Sequence, residues 1–220
     1  MNNTQDIVTT GSSVIPEEAA SFKKASETMF SNQEASETAQ RDEQTDVYTI
    51  DDGETKFVHR APADERIDDV VSVFDVASYI MSKIKQCTTM KLQKLLYYCQ
   101  AWYLVWNERP LFQENIEAWA NGPVIRELYN FHKGLFTITE DMMTLGNPNR
   151  LSKEQMEDVD TVLKAYAPRS SQWLIEQTHT ETPWKEARKG LSPNERGHVV
   201  ITHAAMAEYY SSLYGKGEEE

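Results

Sequence analysis

The chain has 220 residues with 22 Lys/Arg against 35 Asp/Glu, a net charge of −13, and only 40% hydrophobic residues. This length suits one medium domain plus an extension, and the low apolar share means that part of the chain lacks a core. No run of Lys/Arg exists to neutralise phosphates, so nucleic acid is excluded as the main partner; a basic protein surface is favoured, though weakly.

The charge is unevenly spread. Residues 1–70 carry a net −10 and residues 71–220 only −3, while all five Trp and both Cys lie in the second part. Cys87 and Cys99 are too few for a disulfide framework and match no C-x-x-C pattern, which suits a reducing compartment. The N-terminus is polar, with no apolar signal region, and no stretch approaches the roughly 18 apolar residues of a membrane span. The expectation is a cytoplasmic protein that does not engage a membrane.

Residues 1–68 read as an acidic, largely disordered arm, too polar to offset chain entropy. Within it, Pro16 with Glu17 and Glu18 favours the start of a helix over 16–30. Ile15, Ala19, Phe22 and Met29 form its thin apolar stripe, which either orders on a partner's groove or stays transient. Residues 46–60 read as a hairpin. Asp52-Gly53 supplies a tight turn, and Val47, Tyr48, Ile50, Phe57 and Val58 supply strand-type residues. A two-stranded hairpin is marginal alone, so this one needs to dock on the domain or on a partner. Phe22, Met29, Tyr48 and Phe57 are the arm's candidate partner-binding residues.

The domain, expected over 69–214, opens with a helix capped by Asp75 and striped by Val76, Ile80 and Ile84. Thr88 or Thr89 caps the next helix. There Leu92, Leu95, Leu96, Cys99, Tyr103 and Trp106 recur at helical spacing, and beyond Tyr97 nearly every face is apolar. Such a helix belongs at the centre of a fold. Residues 116–120 read as extended, Pro123 as a helix start with Val124, Leu128 and Phe131 on one face, and 135–138 as strand-like. Ser152 and Gln155 form a capping-box pattern before Met156, Val159, Leu163 and Tyr166. Ser170 starts a further helix, the Thr182-Pro183-Trp184 run interrupts it, and Thr202 caps the last helix. Residues 215–220 read as a frayed tail. The expected class is mainly α: a compact helical domain around a central apolar helix, with two or three short strands and a partly disordered acidic arm before it.

Catalysis needs converging polar groups, and none stands out. His198 and His203 are five apart rather than the four that places two imidazoles on one helical face. His59, His132 and His179 are isolated. Cys99 reads as a small core residue, and no glycine-rich phosphate loop exists. Most acidic residues, Glu117 and Glu127 included, read as solvated. Neither cofactor nor metal is expected, and the chain reads as a binding module rather than an enzyme.

Three segments carry a family resemblance. Leu92-Gln93-Lys94-Leu95-Leu96-Tyr97 through Gln100-Ala101-Trp102 resembles the first signature of Panacea (SocA-like) domains. Glu117-Ala118-Trp119-Ala120-Asn121-Gly122-Pro123-Val124 is similar to the second, and Thr178-His179 with Thr182-Pro183-Trp184 to the third. The resemblance implies an antitoxin, bacterial or phage in origin, that binds a protein toxin directly in a hetero-oligomer. The family's toxins include toxic small alarmone synthetases. One branch instead delivers its toxin to the ClpXP protease, and no catalytic residue or cofactor is established for the family. From the residues themselves, Lys91, Lys94 and Tyr98 share one side of the axis helix and read as exposed, with Trp102 ambiguous. Trp119, Asn121, Arg126 and Tyr129 read either as packing around a turn or as a recognition surface of the aromatic and Arg type that carries interface energy. Thr178, His179 and Trp184 read as locks on the last loop.

Overall fold

The computed structural model describes residues 71–214. The expected arm helix, the hairpin and the arm candidates Phe22, Met29, Tyr48 and Phe57 lie outside these residues.

Helix α1 spans Val73–Ile84. Its cap is Ser72, whose hydroxyl accepts from the Asp75 amide while the Asp75 carboxylate accepts from the Ser72 amide. Asp75 is thus the third residue of a capping box rather than the cap, because both end donors are satisfied only by the reciprocal pair. Strand β1 (Gln86–Thr88) leads into α2 (Thr89–Asn107), capped by Thr88 through the Lys91 amide. The helix ends at Glu108, which takes a left-handed conformation with φ 54° and closes on the Leu104 carbonyl.

Every residue of α2 from Leu92 to Leu104 is buried. This is the expected axis of the fold, and α7, α4, α5, α1 and β3 pack around it. Strands β2 (Ile116–Trp119) and β3 (Gly122–Ile125) form an antiparallel hairpin in which Trp119 faces Gly122, leaving Ala120 and Asn121 as a two-residue turn. Pro123 therefore lies in a strand and does not start a helix; its missing N–H is harmless in so short a strand. Helix α3 begins later, at Arg126–His132. The strand expected at 135–138 sits slightly further on as β4 (Thr137–Thr139), paired with β1. Leu135 and Phe136 are left exposed.

Helix α4 (Lys153–Tyr166) has the expected capping box of Ser152 and Gln155, and buries Val159, Leu163 and Tyr166. Helix α5 (Ser171–Thr180) is capped by Ser170. The Thr182-Pro183-Trp184 run breaks α5 but immediately opens α6 (Thr182–Ala187), with Pro183 in the first turn, where its missing N–H costs nothing. Helix α7 (His203–Tyr214) starts with the Thr202 hydroxyl accepting from the Ala205 amide. The described residues are mainly helical, with seven α-helices and short strands, as expected. No helix among them is long and apolar enough to cross a membrane.

Candidate partner-binding surface

The polar residues of α2 point inward and hold the β2–β3 hairpin. The Gln93 amide oxygen accepts from the Ile125 amide at 2.8 Å, and its nitrogen donates to the Ile125 carbonyl at 3.3 Å. From the next residue, the Lys94 ammonium donates to the Pro123 carbonyl at 2.9 Å. Gln100 treats the next loop in the same way, accepting from the Leu111 and Phe112 amides and donating to the Phe112 carbonyl. An amide side chain carries both donor and acceptor, so it can replace a missing strand partner in a dry core. Gln93 and Gln100 were visible in the first signature, yet their spacing alone does not reveal what they bind.

The exposed side expected on α2 does not exist. Lys94, Tyr98 and Trp102 are fully buried. Burial pulls the Lys94 ammonium down to about 7. Lys91 is half-buried, and its ammonium reaches the Ala167 carbonyl at 2.6 Å. Lys94, Tyr98 and Trp102 belong to the interior because α4, α5 and α7 close over a helix face that the sequence pattern left open, and Lys91 lies at its margin.

The third signature grips the hairpin from the other side. The Trp184 indole N–H donates to the Trp119 carbonyl at 2.9 Å, and His179 stacks on Trp184 with ring centres 4.1 Å apart. Thr178 is fully buried beside Gly122. The lock on the last loop is a residue the sequence reading passed over. Arg188 is buried, donates to the Ala118 carbonyl at 3.0 Å and to the carbonyls of Ser192, Pro193 and Glu195. The three signatures thus meet around one turn, Ala120–Asn121, and present it outward, with Asn121 exposed at its tip.

Beside this turn lies a half-exposed cluster centred on Glu117. Arg126 donates to both carboxylate oxygens at 2.7 and 2.6 Å, and the Trp119 indole N–H donates at 2.7 Å. Burial opposes ionisation of Glu117, but the hydrogen bonds from Arg126 and Trp119 outweigh it and hold the carboxyl below its usual range. Glu117 is therefore a buried anchor rather than a solvated side chain. The Arg126 guanidinium also approaches His198 Nδ1 at 2.8 Å. The same Nδ1 lies 3.3 Å from Glu117 Oε2, so His198 faces both members of the Arg126–Glu117 pair. Trp119 packs edge-on against Tyr129, with ring centres 4.7 Å apart, and Arg126 lies 5.7 Å over the Trp119 ring. Trp119, Asn121, Arg126 and Tyr129 are thus brought onto one surface. His198 joins them from 72 residues away in sequence, which spacing could not have revealed.

A second buried acid lies deeper. Glu181 accepts from the Tyr98 hydroxyl at 3.0 Å and the Tyr210 hydroxyl at 2.8 Å, joining α2, α7 and the α5–α6 junction. Tyr98 stacks on Tyr166 at 4.0 Å, and the Trp102 indole N–H donates to the Tyr166 hydroxyl. Burial raises the Glu181 carboxyl to about 7. The folded state therefore holds a proton that the unfolded state releases between about pH 4.5 and 7. The Glu181 contribution to stability is full below about pH 4.5 and is lost as pH rises through about 7. Glu181→Gln lacks this titration, so denaturant unfolding of the two proteins across pH 4–8 gives a wild-type-minus-variant difference that shrinks as pH rises. A pH-independent difference overturns this assignment.

Chemistry of other kinds finds little here. Burial pushes the Cys87 thiol up to about 11 and the Cys99 thiol higher, so neither is a thiolate at neutral pH. Among the described residues, no group of three His, Cys, Asp or Glu is placed to hold a metal ion.

Residues 92–185 match the family model described as antitoxin SocA-like, Panacea domain. Over these residues the chain is similar to that family's domain. The matched span holds Lys94, the β2–β3 hairpin, Arg126, Tyr129, Glu181 and Trp184, and leaves out α1, the segment around His198 and α7. The family supports an antitoxin role with a toxin as partner. No curated protein and no solved structure matches the chain.

Proposed function

We propose that this Panacea-like domain is a non-catalytic antitoxin that neutralises its toxin by direct protein–protein contact, with Trp119, Asn121, Arg126, Tyr129 and His198 as the contact surface. The observation that carries this reading is the aromatic–Arg cluster itself. Two aromatic rings and a guanidinium are held in place by the buried Glu117 and the hairpin, yet remain half-exposed. Pre-positioned aromatic and Arg side chains lose little entropy on binding and are the types that dominate interface energies. The interior gives the second support: Gln93 and Lys94 of the axis helix hold the hairpin that carries this turn.

Translation-blocking enzymes, including toxic alarmone synthetases, are the toxin class that the family resemblance favours, in a hetero-oligomer located in the cytoplasm. Co-expression with the product of the adjacent reading frame tests the reading. Growth is restored, and the two chains co-purify, in cells with and without the ClpX unfoldase. Restoration that requires ClpX replaces direct neutralisation with proteolytic delivery.

A further inference from the structure

The β2–β3 hairpin continues into a third segment. The Ala118 amide donates to the Val199 carbonyl at 2.9 Å, the Ile201 amide donates to the Ile116 carbonyl at 2.8 Å, and Glu117 faces Val200 in antiparallel fashion. In this pattern Glu117 and Val200 are a non-hydrogen-bonded pair, so the N–H and C=O of Val200 point away from β2. They face outward along an edge on which the Val199 and Val200 side chains are 51% and 39% exposed. Such an edge, β-branched and without proline or a Lys/Arg charge, is a template for another strand, and folded proteins normally cover or charge it.

The chain's own N-terminal segment starts from the same end of this sheet. The Val73 amide donates to Glu114 Oε1 at 3.1 Å, and Glu114 lies two residues before Ile116, the partner of Ile201. His59 precedes Val71 by 12 residues, which span up to roughly 40 Å when extended. The sequence around it, Lys56-Phe57-Val58-His59, falls in the segment whose pattern reads as a hairpin over 46–60, which is marginal alone and needs to dock on the domain or on a partner. Tethering sets its effective concentration on the order of millimolar, above any second copy or free partner strand at working dilution.

We propose that residues 56–59 add as a strand to the outer edge at Val200, extending the β2–β3 sheet by one strand and laying the acidic arm beside the Trp119–Arg126–Tyr129 surface. This does not depend on the antitoxin reading, and it makes the arm a neighbour of that surface whatever partner binds there.

Amide hydrogen exchange on the full chain without any partner tests it. The Val200 amide exchanges at least about tenfold more slowly than its intrinsic rate. Val58→Pro, in the otherwise complete chain, returns it to near that rate, while the Ala118 and Ile201 amides stay protected and report an intact domain. Fast exchange at Val200 in the wild type overturns the proposal. So does protection that survives Val58→Pro: if it grows with protein concentration, a second copy holds the edge. Protection that appears only when the toxin is added assigns the edge to a strand of the toxin and likewise overturns the proposal.

Discussion

Trp119→Ala and Tyr129→Ala each weaken toxin binding by about 30-fold or more, which corresponds to roughly 2 kcal/mol at a central aromatic contact. Both side chains are half-exposed and touch one another at 4.7 Å. Removing either therefore opens the cluster without emptying the core. The Trp119 carbonyl, which receives the Trp184 N–H, belongs to the main chain and survives the substitution. Calorimetric titration of purified partners reads the effect, and growth rescue on co-expression reads its consequence. Thermal unfolding of each variant alone serves as the control, since a fold-wide loss would lower stability as well as affinity. Unchanged affinity in both variants removes this surface from the interface. Rescue by the wild type would then still support an antitoxin, with its contact elsewhere.

Gly122→Ala destabilises the domain by about 3 kcal/mol, lowering its melting temperature by roughly 10 °C. Two causes add. Gly122 has φ +95°, a backbone conformation that costs any L side chain. An added Cβ would also stand 2.6 Å from Lys94 Cε and 2.9 Å from Thr178 Oγ1. Lys94 ends a flexible chain, but it is fully buried and its hydrogen bond goes to the Pro123 carbonyl. If it yields, a buried donor and a buried acceptor lose each other. Gly134→Ala separates the two causes, because φ is +89° there but nothing lies within 4 Å of the added Cβ. Differential scanning calorimetry of both variants should show the larger loss at position 122. Equal losses would mean that the turn is held by backbone geometry alone and that the contact with Lys94 and Thr178 is incidental.

Helix periodicity read the axis of this fold well, because a helix that is apolar on every face has only one stable place. Leu92, Leu95, Leu96 and Cys99 are buried there as their spacing required. The caps at Thr88, Ser152, Ser170 and Thr202 were legible for a local reason: a cap hydroxyl answers an amide three residues away. Ser72 was missed because the Asp of its box resembles a cap when read alone.

The interior of the site was not legible in this way. Lys94 and Tyr98 look like surface residues in any linear pattern, since charge and hydroxyl are normally solvated. They are buried because partners arrive from far along the chain: the Pro123 carbonyl for Lys94, and Glu181 for Tyr98. Glu117 was read as solvated although its counter-groups, Trp119 and Arg126, lie only 2 and 9 residues away, because the hairpin turn that brings them together was not recognised.

The sequence by itself determined the axis helix, the helix caps, the division of charge at residue 70 and three signatures sufficient to point to the family. Each is set by neighbours within a turn or two, or by residue identity along a short run. Only the tertiary structure decided that the three signatures converge on one turn, that their polar residues face inward to hold it, and that Trp119, Arg126, Tyr129 and His198 form the face left outside. Burial of a polar group is set by the partner that satisfies it, and for Lys94 and Tyr98 those partners lie 29 and 83 residues away.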